Sequence, residues 1–444
     1  MKGSLAVFLL LLAAGFCLIL WRAIESPKPN TDRIEIGADE DAEAAAATRP
    51  IDPPTGDAPV LEVPRRITKG AETFVRVNLT PRPVRSLELT INGGCTIRAV
   101  GKSEPLSQPK QIATAVVTAG SSGVRIGDEQ YQARSLEIVP WTPPDLTVDD
   151  RKYRGTLRLF VRPGQRLMAV NVIALEEYLA SVVDSEMPAK FPDAARRAQA
   201  IAARTYVLYQ AQHIGAASQF DVYATTRSQN YLGYEYRNSA GRRLAGESAD
   251  SRRLVAETAG MVCTYNGQLF CTYYSAVCGG ETTAGRYVFA DAAPVCRCVD
   301  CEWCQQADRY RWSARIDVAT ASAALERYFD RQRKPFESLV RIVRSPKTPR
   351  GSVATFRVSD GHRTHSISAA DLRHLFRSTT LHSPKFTIQQ TRDELIVNGQ
   401  GHGHGVGLCQ WGARGQALDG RGTLEILAHY YRGSQVTLMK ALRE

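Results

Sequence analysis

The stretch from Asn171 to Gln210, NVIALEEYLASVVDSEMPAKFPDAARRAQAIAARTYVLYQ, sets a local geometry that the rest of the chain must accommodate. Ile173, Leu175, Leu179, Val182 and Val183 recur at helical spacing, with Glu176, Glu177 and Asp184 between them. This predicts an amphipathic helix that ends near Met187, because Pro188 pushes the residue before it out of the helical region. Pro192 sits where a second helix can begin, and that helix carries Ala200, Ala203, Val207 and Gln210 along one side. Glu186 therefore stands at the end of one helix, before a proline corner that leads into the next. A carboxylate at a helix C-terminus meets the negative end of the dipole, which disfavours ionisation. A glutamic acid kept neutral near pH 7 can act as a general acid. The plainer reading is an exposed glutamate closing a helix.

In chain order, Lys2 precedes an apolar run from Leu5 to Trp21, followed by Arg22. The run is long enough to span a bilayer with slight tilt, and no small-x-small cleavage motif is clear. Residues 1–24 are expected to form an uncleaved signal anchor, a cleaved signal peptide being the alternative; both put the body outside the cytoplasm. Residues 25–68, rich in alanine, proline and acids, read as a flexible tether. From 69 to 150 short alternating runs such as SLELTI and IATAVVTA, punctuated by glycines, predict a β-rich subdomain. Residues 151–436 form the main body and 437–444 a tail. The fold class is mixed α+β.

Within the body a helix is expected near Ser248–Ala259, closed by Gly260, and then a hairpin turning at Asn266-Gly267. A three-residue loop there would let Cys263 face Cys271, whereas a two-residue loop puts them on opposite faces. Between 313 and 400 a helix at Val318–Phe329, strands at SLVRIVRS, VATFRVSD, FTIQQ and ELIVNG, and a helix from Ala369 are expected. The Ser368 to Asp371 spacing approximates a capping box.

The net charge of +11 hides an asymmetry: residues 25–62 hold ten acidic and three basic side chains, leaving residues 63–444 at about +16. A basic body suits an anionic partner. No nucleic-acid-binding motif is present, so nucleic acid is not expected. Four of the ten cysteines fall between Cys296 and Cys304. In an exported chain such a cluster can close as disulfides or hold a metal.

Three strings carry a resemblance. LEEYLASVVDSEMP with AARRAQAIAARTYVLY, then YSAVCGGETTAGR, then GHGHGVGLCQWGARGQALDG resemble, in order, the motifs of the SpoIID/LytB family. That group comprises stage II sporulation protein D and amidase enhancers. FDVYATTRSQNYLGY resembles a further family element. The resemblance covers roughly residues 70–436.

It implies a peptidoglycan lytic transglycosylase in which Glu186 is the acid. Such an enzyme needs one carboxyl group, whereas most glycoside hydrolases need two. Asp184 is expected on another face of the helix. Arg204 is the candidate for a bidentate grip on the lactyl carboxylate of muramic acid, a structural ion pair being the other reading. Tyr206, Gln229, Tyr231, Tyr274, Ser275, His404 and Gln410 are the remaining substrate-binding candidates. His402 and Cys409 have no role carried over, though His402 with His404 invites a metal-amidase reading. Cys278, Cys298, Cys301 and Cys304 are the expected ligands of a structural zinc, with Cys296 able to replace Cys298. No organic cofactor is expected. The implied partners are glycan strands, the membrane through the anchor, and a cell-wall amidase if the chain is an enhancer instead.

Overall fold

In Arg166–Ala174 six of nine side chains are buried, and the strand runs without a loop into helix α1, Leu175–Glu186. The computed structural model describes residues 61–62, 68–69, 72–215, 217–346, 349–376 and 381–440. The expected anchor, most of the tether and the end of the tail lie outside them. Among the described residues, no helix is long and apolar enough to cross a membrane.

Arg166–Ala174 pairs antiparallel with Thr156–Arg162 on one side and with Glu72–Asn78 on the other. The sheet continues through Ser135–Pro140 and Cys95–Ala99. A second antiparallel sheet joins Arg151–Tyr153, Leu146–Val148, Ser86–Ile91 and Ile112–Ala119. Leu87, Leu89 and Ile91 alternate inward as the period-two pattern requires. Both sheets feed one core with α1, through Leu89, Ile97, Leu136, Leu159, Tyr178, Leu179 and Val182. Each such aliphatic side chain contributes about 1.5–3 kcal/mol when fully buried. The β-rich stretch 69–150 and the helical body thus share strands and core.

Among the described residues six further α-helices follow: α2, Asp193–His213; α3, Ala249–Glu257; α4, Val318–Asp330; α5, Ala369–Leu375; α6, Gln410–Leu418; and α7, Thr423–Tyr430. Met187 leaves the helical region before Pro188, and α2 starts directly after Pro192. Helix α2 is buried almost all round and touches α1, α3, α6, α7 and the strand Met261–Tyr265. Its alanines let five neighbours approach closely. That strand turns at Asn266-Gly267, both at positive φ, and pairs Thr264 with Leu269 and Tyr265 with Gln268. This is the two-residue loop, so Cys263 and Cys271 do not face each other, and both are free thiols.

Residues 311–400 build a hydrophobic cluster of their own around Leu325, Phe329, Phe356, Leu395 and Val397. Two three-stranded antiparallel sheets, α4 and α5 enclose it. The Ser368 hydroxyl accepts from the Asp371 N–H at 3.0 Å and donates to its carboxylate at 2.6 Å, as the capping-box spacing suggests. The strands Arg311–Asp317 and Thr364–Ser368 were not expected, because arginines, serines and a histidine interrupt their apolar alternation.

Candidate active site

Glu186 ends α1 where three separate stretches meet. Its Oε1 accepts from the Asn230 backbone N–H at 2.8 Å, and its Oε2 accepts from the Gln410 side-chain amide at 3.2 Å. The Ser185 hydroxyl donates to the Asn230 carbonyl, so consecutive residues of α1 pin the same loop. The Tyr274 hydroxyl adjoins Glu186 without a hydrogen bond of ordinary geometry. Burial raises the Glu186 pKa above the ordinary glutamate range; the Asn230 N–H, Gln410 and Tyr274 pull it back in part. Desolvation, rather than the helix end, is therefore the main cause of the upward shift. All the groups that shift it are neutral.

Asp184, two residues earlier, is turned away. It accepts from the buried Arg196 and from the Ser248 N–H that leads into α3. No second carboxylate is thus delivered to Glu186 by α1.

Gln410 also donates to Gln199 of α2 at 3.3 Å. It opens α6, directly after a two-residue strand in which Leu408 and Cys409 pair in parallel with Tyr274 and Ser275. Gly407, at positive φ, makes that approach possible, because a Cβ there would stand 1.9 Å from the Tyr273 carbonyl oxygen. Tyr206 places its ring 6.5 Å from that of Tyr274. His404 sets its ring edgewise to Phe289 at 5.0 Å and to Tyr273 at 5.9 Å, and burial lowers its pKa to about 4. Glu186, Gln410, Tyr274, Ser275, Tyr206 and His404 are therefore linked by contact.

Three expected substrate contacts have side chains engaged in internal packing. Arg204 has a fully buried side chain that donates to both carboxylate oxygens of Glu176, at 3.0 and 2.6 Å, and to the Met261 and Val255 carbonyls. It is a structural ion pair, the alternative weighed for it. Gln229 is also fully buried, accepting from Tyr178 at 2.9 Å and donating to the Ala203 carbonyl at 3.2 Å. Tyr231 is 1% exposed, donates to Asn171 at 2.8 Å and packs its ring on Tyr178. In each case tertiary packing consumes a side chain whose chemistry suits a sugar.

His402 and His404 also diverge: the ring nearest His402 is His382, at 5.4 Å. Among the described residues no third ligand joins the two histidines.

The cysteine cluster comprises Cys278, Cys301, Cys304 and Cys409, all buried, with sulfurs within 4.8 Å of one another. Cys409 takes the place expected for Cys298. The reason is geometric: the Glu281 to Asp300 bridge holds this segment extended, so residues three apart point to opposite faces. The Cys298 thiol consequently lies 3.6 Å from Glu281. The Cys278 and Cys304 sulfurs are 3.7 Å apart, far beyond a disulfide bond and close to the ~3.8 Å edge of a tetrahedral tetrathiolate zinc site. The Cys409 sulfur accepts from the Cys278 and Gly412 N–H groups, both at 3.3 Å. Hydrogen bonds from Cys278, Cys301 and Cys409 push the Cys304 thiol strongly toward thiolate. This donor set fits a metal ion. It lies one residue from Gln410 and three from Ser275.

Two contributors were not foreseen. Asn230 acts through its backbone, which side-chain type cannot reveal, and Gln199 looks like an ordinary residue of a buried helix. The adjacency of Cys409 to the Gln410 motif was the signal available for the fourth sulfur.

Comparison with known proteins bears on this arrangement. Residues 163–265 match the SpoIID model, described as a stage II sporulation protein, and residues 301–407 match a domain of unknown function. The chain is 31% identical over 299 residues to an uncharacterized protein of Brachyspira hyodysenteriae, covering 67% of this chain and 76% of that one. It is 27% identical over 277 residues to stage II sporulation protein D of Bacillus subtilis, covering 61% and 76%. An amidase enhancer of Bacillus subtilis matches at 25% over 364 residues, 72% of this chain but 48% of the relative. With the motif order, the relatives and the convergence of three motifs on Glu186 in agreement, the chain belongs to the SpoIID family.

Proposed function

We propose that this protein is a lytic transglycosylase acting on peptidoglycan glycan strands. The observation that carries the reading is one partly buried carboxyl group, Glu186, raised in pKa and held by neutral donors where the three motifs converge. In this mechanism protonated Glu186 gives its proton to the oxygen between N-acetylmuramic acid and N-acetylglucosamine. The resulting carboxylate, accepting from Asn230 and Gln410, takes the proton of the muramyl C6 hydroxyl as that oxygen attacks C1. The products are a 1,6-anhydro end and a free 4-hydroxyl, with no water consumed. One carboxyl serves as acid and then as base. Tyr274, Ser275, Tyr206 and His404 line the sugar site.

Cys278, Cys301, Cys304 and Cys409 would hold a zinc ion. Four thiolates close its coordination shell, so the ion supplies cross-linking and no open position for substrate. Its work is to tie the Tyr274–Ser275 strand to the start of α6, and so to keep Gln410 on Glu186. The basic body suits strands whose lactyl carboxylates are free, and the N-terminal apolar run suits display outside the cytoplasm, anchored or released.

The likeness to an amidase enhancer supports a second reading, a wall-binding protein that assists a separate amidase. Digestion of purified glycan strands by wild type and by Glu186→Gln, with products weighed by mass spectrometry, separates the two. Anhydro-muramyl products that vanish in the variant support the enzyme. Binding without products supports the enhancer.

A further inference from the structure

The Gln199 side chain is fully buried in α2, and its Nε2 has no hydrogen-bond partner among the described residues. Its Oε1 accepts from Gln410 Nε2 at 3.3 Å, and that same nitrogen donates to Glu186 Oε2 at 3.2 Å. Both N–H bonds of the Gln410 amide are thus spent on oxygens. The other carboxyl oxygen, Glu186 Oε1, accepts from the Asn230 backbone N–H at 2.8 Å. A carboxyl and two amides therefore stand in a row that ends on a buried donor with nothing to donate to. Such an orphan costs about 1–3 kcal/mol.

This row suits Glu186 as a carboxylate. A backbone N–H cannot reverse, so Oε1 stays an acceptor and a proton on Glu186 goes to Oε2. Oε2 then becomes a donor facing an amide nitrogen, which has no capacity to accept. A primary amide exchanges its nitrogen for its oxygen by a half turn about its last side-chain bond, with almost no change of shape. Once Gln410 turns over, its Oε1 accepts from the protonated acid but faces Gln199 Oε1, acceptor against acceptor. Gln199 turns over in response, and its Nε2 donates to Gln410. The idle donor is then used, and the row ends on a carbonyl oxygen, which tolerates isolation better than an N–H.

The groups around the row leave this exchange to Glu186 alone. Burial raises the Tyr178, Tyr206 and Tyr274 hydroxyls above the ordinary tyrosine range, so they stay neutral while Glu186 titrates. Asp184, on the same helix, is paired with Arg196, and Cys409, beside Gln410, is turned into the cysteine cluster.

We infer that Gln410 and Gln199 form an amide relay that turns over in concert with the proton on Glu186, nitrogen toward the carboxylate and oxygen toward the carboxylic acid. This rests on the reading above, in which one carboxyl is acid and then base, and it gives that carboxyl a matched partner in each role. Gln199 acts through Gln410 and is a positioning residue. Only hydrogen bonds are exchanged.

The test uses full-length protein without substrate, labelled with nitrogen-15 in glutamine side-chain amides and carbon-13 in glutamate carboxyls, and followed by nuclear magnetic resonance. The Gln199 signals are assigned by their proximity to neighbouring α2 amides. As pH falls through the midpoint of the Glu186 carboxyl, the Gln199 amide protons should move downfield with the same midpoint, because they gain an acceptor. Glu186→Gln has the shape of the protonated acid, with an N–H in place of the O–H, so its Gln199 signals should hold the low-pH position at every pH. On glycan strands, Gln199→Met should lower kcat about tenfold with KM unchanged. Gln199 signals that stay still while Glu186 titrates, signals at the wild-type high-pH position in Glu186→Gln, or a wild-type kcat in Gln199→Met each overturn the relay. If the signals move as stated while wild type releases no anhydro product, the enzymatic reading falls and the relay stands.

Discussion

The Gln410 side-chain amide donates to Glu186 Oε2 at 3.2 Å, across 224 residues of chain. This contact couples the last family motif to the first, and a second bond to Gln199 fixes the amide. Removing it with Gln410→Ala should lower kcat about 10- to 100-fold, equivalent to about 1.4–2.7 kcal/mol of transition-state stabilisation. The melting temperature should fall as well, because the amide is buried and its loss leaves Gln199 Oε1 without that donor. Rates of anhydro-end release and a thermal melt on one preparation check both halves.

Cys409 precedes Gln410 and supplies the fourth sulfur of the cluster, so Cys409→Ser should do two things at once. Bound zinc, measured by elemental analysis, should fall below one ion per chain, and the rate should fall with it. Glu281, which neighbours Cys298, lies outside the cluster, and Cys298→Ser should leave both quantities unchanged. Equal metal loss in the two variants would count against the ligand set.

Arg204 gives a contrasting expectation. Its buried guanidinium pairs with Glu176 and caps backbone carbonyls, so Arg204→Met leaves those groups without a donor. Stability should drop by about 2–4 kcal/mol in denaturant unfolding. KM of the protein that remains folded should be unchanged. A raised KM with normal stability would restore the substrate role that its sequence position suggested.

Much of the architecture could be read in advance because it is local. The end of α1 at Glu186 follows from Pro188, and the Ser368 cap and the Asn266-Gly267 turn follow from residue type. What could not be read is which polar side chains the fold spends on itself. Arg204, Gln229 and Tyr231 have the chemistry of ligand contacts, yet distant segments bury them. The exchange of Cys298 for Cys409 has the same origin, since a strand pairing decides which way a thiol points. Asn230 contributes only its backbone N–H, a group every residue but proline carries.

The direction of the Glu186 shift fixes the pH dependence. Its pKa is raised, so the proton-donating form persists above the pH at which an exposed glutamate has lost it, and is depleted as pH rises through the raised value. kcat/KM should therefore show one limb, falling toward alkaline pH. A bell with an acid limb from a second carboxylate would point to a two-carboxylate hydrolase.

The claim that one carboxyl completes the reaction without water is tested most directly by digesting glycan strands in water enriched in oxygen-18 and weighing the new ends. Unlabelled 1,6-anhydro-muramyl ends, absent with Glu186→Gln, are the result predicted. Reducing ends that carry one heavy oxygen would show that water attacked the sugar, and would contradict the account.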